Sequence, residues 1–101
     1  MNMTLGERLA LAAALPREGN FLTLRTAAKL REKLTPTDDE IETWNIIVAD
    51  DRITWSPAAE AVDVDITNAE TAAVIDLLRR MDREQCLSVE HMTLYEKFVE
   101  G

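Results

Sequence analysis

The chain is short of the residues that redox chemistry, metal binding and membranes require. Cysteine occurs once, at Cys86, so no internal disulfide can form, which fits a reducing cytoplasm. Histidine also occurs once, at His91. A zinc site wants about four ligands at recognisable spacing, and Cys86 with His91 supplies only two. The three glycines, Gly6, Gly19 and Gly101, are too scattered to build a phosphate-cradling loop. No apolar run approaches the roughly 18 to 20 residues that span a bilayer. The longest apolar-rich stretch, Leu9 to Leu15, is mostly alanine and ends at Pro16. The first residues are not expected to act as a signal peptide, since Glu7 and Arg8 interrupt them. Basic residues are scarce as well: Lys+Arg 11 against Asp+Glu 19 gives a formal charge of -8. A protein that grips nucleic acid through its phosphates needs the opposite balance. These shortages predict a cytoplasmic protein with no catalytic activity, no metal and no cofactor.

What is present is enough for one core. The 101 residues are 47% hydrophobic and 30% charged, which predicts a single compact domain over residues 1–101. Charge is unevenly placed. Residues 1–34 hold six basic and three acidic side chains, whereas residues 35–70 hold Arg52 alone against ten acidic ones, a local charge of -9. Residues 71–101 return to -2. A concentrated negative stretch can steer a partner or orient self-association, although charge runs also mark loops, caps and solvated faces.

The pattern predicts an α+β fold: three N-terminal helices, a small antiparallel sheet of two or three strands, and two C-terminal helices. Thr4 and Glu7 form a capping-box pattern ahead of Leu5, Leu9, Ala12 and Ala13, and Pro16 stops that helix. A second helix is expected from about Phe21 to Leu34. A short third one is expected after Thr35-Pro36, with Asp38, Asp39 and Glu40 in its first turn and Ile41 and Trp44 as inward anchors. The period then changes to that of strands at Ile46-Ile47-Val48 and Ile53-Thr54-Trp55, joined through Asp50-Asp51. Val62, Val64 and Ile66 alternate with Asp63 and Asp65, so a three-stranded sheet is the simplest assembly. Thr67 with Glu70 opens a fourth helix carrying Val74, Ile75, Leu78 and Met81 inward. Ser88 caps a fifth, whose stripe is Val89, Met92, Tyr95, Phe98 and Val99. Trp44 and Trp55 are expected in the core, Cys86 as a packed small hydrophobe, and His91 in a local capping contact.

Three function classes can be weighed on these residues. Three helices followed by a hairpin is the order of a winged helix. A recognition helix presents Arg, Lys, Asn or Gln to base edges, whereas this third helix presents Asp38, Asp39, Glu40 and Glu42. Only Arg25, Lys29, Arg31 and Lys33 offer basic surface. A thiol enzyme would need Cys86 and His91 within hydrogen-bond reach and a third orienting group. An interaction protein needs exposed charge and apolar surface, and the candidates are Asp38, Asp39, Asp50 and Asp51, with Tyr95 and Phe98 on the last helix. That last helix is apolar on more than one side, which predicts a homodimer with Tyr95 or Phe98 near its interface. The acidic stretch would also suit competition for a basic nucleic-acid-binding groove, charge standing where phosphates sit.

Fragments spread over the chain resemble small bacteriophage and prophage proteins of unassigned function. They are Leu15-Pro16-Arg17-Glu18-Gly19-Asn20-Phe21, Leu30-Arg31-Glu32-Lys33-Leu34, Ile53-Thr54-Trp55 and Leu94-Tyr95-Glu96-Lys97-Phe98. The resemblance implies a viral or prophage origin and carries no mechanism and no site residue. Taken together, a small acidic protein-interaction module acting on a host or virion protein is expected, with a winged-helix-like DNA-binding regulator as the alternative.

Overall fold

A computed structural model describes all of residues 1–101. Three helices begin in the same way, at Thr-x-x-Glu. Thr4, Thr37 and Thr67 each accept the N–H of the glutamate three residues on. Glu7, Glu40 and Glu70 each reach back to the threonine N–H. Each box satisfies amides that a helix start leaves without partners. The helices they open are α1 (Leu5–Ala14), α3 (Asp38–Thr43) and α4 (Asn68–Arg83). The start of α3 therefore lies at Thr37, and Pro36 precedes its cap. Between α1 and α3 runs α2 (Phe21–Leu34), capped by Asn20, whose side chain accepts the Thr23 N–H at 2.9 Å.

Two helices end in a residue with left-handed backbone. After α3, Asn45 (φ 50°) lets the Ile46 N–H return to Ile41 O at 2.9 Å. After α4, Gln85 (φ 57°) lets the Cys86 N–H return to Met81 O at 2.9 Å. This geometry closes a helix by satisfying its last carbonyls, usually with glycine. Here asparagine and glutamine adopt it instead.

The strands divide into two pairs instead of forming one three-stranded sheet. β2 (Ile47–Ala49) and β3 (Arg52–Thr54) make a hairpin in register Val48↔Ile53, turning at Asp50 with φ 54°. β4 (Val62–Asp63) pairs with β1 (Asn2–Met3), at the opposite end of the sequence. The alternation in the third strand holds: Val64 is buried, Val62 and Ile66 are half-buried, and Asp63 and Asp65 are exposed. Its partner is Met3, which is fully buried, because a hydrophobic face beside the helices outcompetes a hairpin edge that has no core behind it.

The core is one cluster in which Leu11 of α1, Leu30 and Leu34 of α2, and Val74 and Leu78 of α4 meet Leu94 and Phe98. The closing segment is a 3-10 turn (Val89–His91), a single α turn, α5 (Met92–Tyr95), and a π turn (Glu96–Glu100). His91 is buried, with Nδ1 accepting the Ser88 N–H at 3.1 Å, the local capping contact expected of it. Cys86 is exposed, not packed, and its thiol donates to Met81 O at 3.5 Å. The turn that ends α4 carries it outward.

Candidate functional site

The four aspartates singled out by charge lie on one stretch of chain that sits outside the core. Between Leu34 and Val64 no residue is buried. Asp38 and Asp39 are exposed in the first turn of α3, where they complement the positive end of the helix. Asp50 and Asp51 are exposed at the tip of the β2–β3 hairpin. None of the four forms an ion pair, so their charge is uncompensated at the surface.

Large apolar side chains share this stretch. Val48 is 72% exposed, and Ile41, Ile47, Ile53 and Trp55 are each more than a third exposed. Ile41 and Trp55 are thus corrected from core to surface, and Trp44 is half-buried. A six-residue helix and a two-stranded hairpin form a single layer, with nothing on the far side to cover them.

Two attachments hold this arm to the body, both on α1. Arg8, whose side chain is only 4% exposed, makes a fork onto Glu40, Nη1–Oε2 at 2.9 Å and Nη2–Oε1 at 3.0 Å. Arg8 lowers the Glu40 pKa most, against the opposing effect of burial, and the Thr37 N–H lowers it further. Farther along, the Trp55 ring lies over Gly6, where an added Cβ would stand 3.7 Å from Cζ2. Between hairpin and α1 lies a cleft of about 640 Å³, with Asp51 and Glu90 among its lining residues and Ala10 and Ala13 on its α1 side.

The other two capping-box glutamates are tied to distant lysines. Glu7 Oε1 receives Lys97 Nζ at 2.7 Å and Glu70 Oε1 receives Lys33 Nζ at 2.7 Å. For both glutamates burial is the largest influence and pushes the pKa up. The lysine and the threonine N–H together outweigh it, so both stay below the ordinary carboxylate range. Each glutamate thereby starts a helix and bridges to another element at once. Sequence spacing reveals the first half of that job and not the second.

Phe98 and Tyr95 do not join the aspartates. Phe98 is 5% exposed, inside the core cluster, and Tyr95 is half-buried against it. The core takes Leu94 and Phe98, so Phe98 has no surface to offer a partner, whereas Val89 and Met92 of the same stripe stay exposed. Cys86 and His91 share no hydrogen bond, and no group of three His, Cys, Asp or Glu side chains is placed to hold a metal ion. No helix is long and apolar enough to cross a membrane. Compared with known protein families, with curated proteins and with solved structures, the chain matches none.

Proposed function

We propose that this chain is a small acidic protein-interaction module of bacteriophage or prophage origin. It would work in the host cytoplasm by docking α3 and the β2–β3 hairpin on a host or virion protein. The supporting observation is the pairing of exposed apolar side chains with unpaired aspartates in a stretch from which the core takes nothing. Exposed apolar side chains beside unpaired charge favour association, and the charge selects a basic partner and speeds encounter. Because the Arg8–Glu40 fork and the Trp55–Gly6 contact hold the arm in place, little ordering is needed on binding. No catalytic step and no cofactor belongs to this role.

The test is capture of a host or virion protein by the tagged chain, compared with the D38N/D39N/D50N/D51N variant. Binding that weakens with salt and falls at least tenfold in the variant is expected. Unchanged capture in the variant would refute the role of the acidic arm.

A winged-helix-like DNA-binding regulator is the second reading, favoured by the helix–helix–helix–hairpin order that the fold keeps. The basic surface of α2 itself is thin, since Lys33 is engaged by Glu70 and Arg31 is half-buried, leaving Arg25 and Lys29 exposed on that helix. Retention of duplex DNA in a low-salt gel shift, lost in R25A/K29A, would favour it over the acidic module.

A further inference from the structure

A second surface with uncovered apolar side chains lies between α2 and α4, and its charge has the opposite sign. The Lys33–Glu70 bridge ties the last turn of α2 to the first turn of α4. From there a groove of about 730 Å³ runs along both helices toward Leu22 on one wall and Arg80 and Arg83 on the other. Leu22 is 68% exposed and its neighbour Phe21 is 77% exposed, so the first turn of α2 stands clear of the core. Arg79, Arg80 and Arg83 are exposed, and none makes an ion pair within the fold. One acidic side chain, Asp76, lines the same groove.

The molecule thus carries an apolar arm with unpaired aspartates and an apolar groove with unpaired arginines. Within one chain the two are separate surfaces, for no residue lines both. Asp51 and Trp55 line the cleft along α1 between Gly6 and Ala13, whereas the groove lies between α2 and α4 and touches the chain after α1 at Leu15 and Pro16.

We propose that the acidic arm of one copy docks in the arginine-lined α2–α4 groove of a second copy, so that the chain self-associates head to tail. This rests on reading the arm as a docking surface and names a partner for it. Such a contact uses two different patches, so every copy added leaves one arm and one groove free, and assembly continues as a ring or a filament. Opposite charges drive it against an overall charge of -8, so salt weakens it. A symmetric apolar dimer of like-charged chains would instead strengthen with salt.

Sedimentation equilibrium of the full chain from 10 to 500 µM tests this. In about 50 mM salt the average mass is expected to climb past that of a dimer, and association is expected to weaken at least tenfold by about 500 mM. The groove variant R80E/R83E and the arm variant D50N/D51N are each expected to remain monomeric near 11.4 kDa. Mixed, they regain one intact arm and one intact groove, and a 1:1 dimer that grows no further is expected. Circular dichroism checks that each variant is folded, and R79E replaces either groove substitution that disturbs the fold. A monomeric wild-type chain at 500 µM, a monomeric mixture, or a closed dimer strengthened by salt would each overturn the proposal. A monomeric chain that still loses its host partner on neutralising the four aspartates would overturn the self-contact alone and leave the arm's role standing.

Discussion

The body and the arm use similar residues and bury them very differently. In the body, Leu11, Leu30, Leu78 and Leu94 come from four segments and are almost completely inaccessible. In the arm, Ile41, Ile47, Val48 and Ile53 are just as apolar and stay exposed. What separates them is the number of layers around them. Helical stripes on α1, α2 and α4 converge on a shared interior, whereas α3 and the hairpin reach α1 through Glu40 and Trp55 and add no buried residue to that interior. Stability therefore belongs to the body. The arm is free to hold like charges close together at little cost to folding.

Substitutions that probe each region test this division directly. The largest loss is expected at Leu78→Ala, in the fully buried face of α4, about 2 to 5 kcal/mol by urea denaturation. For a domain of this size that is a large share of the total. Next comes Lys97→Met, which strips the buried Glu7 carboxylate of its cation. About 1 to 2 kcal/mol is expected, reduced because Lys97 is 38% exposed and partly screened.

Acid should act on the same bridges. Glu7, Glu40 and Glu70 have folded pKa values below the ordinary 4.5. A depressed carboxylate contributes stability that is complete above its unfolded pKa and lost as pH falls through the folded one. The urea midpoint is expected to hold from pH 7 to about 5 and to fall below 4.5, and E7Q/E40Q/E70Q should flatten that fall.

The arm should respond weakly. Trp55→Ala is expected to cost about 1 kcal/mol, since the ring covers Gly6 on one side only. A loss as large as that of Leu78 would place the ring in the core after all. Val48→Ser should change stability by less than about 0.5 kcal/mol. Amides of β2 and β3 should exchange with solvent far faster than those of α4.

Local signals were legible where a few neighbouring residues decide the outcome. Thr4–Glu7 and Thr67–Glu70 mark helix starts because a threonine oxygen and a glutamate three residues on can satisfy each other's amides without help from the rest of the chain. The hairpin at Asp50 and the in–out alternation of Val62 to Ile66 are equally local. The start of α3 slipped by two residues because Thr35-Pro36 and Thr37-Asp38 offer competing caps, and only the Thr37 box recruits Glu40, itself held by Arg8. The aspartates were legible as surface from charge alone. Phe98 was not legible as core, since its stripe alone says that it must be covered and not by what.

The helix-start boxes, the hairpin at Asp50 and the acid-rich middle were thus set by the amino-acid sequence itself, through backbone chemistry that reaches three or four residues. Tertiary structure alone decided that β4 would pair with β1, that Trp55 would lie on α1, and that Lys97, Arg8 and Lys33 would find the three capping glutamates. Those choices are competitions between partners far apart in the chain, and burial of apolar surface together with pairing of half-buried charges decides between them.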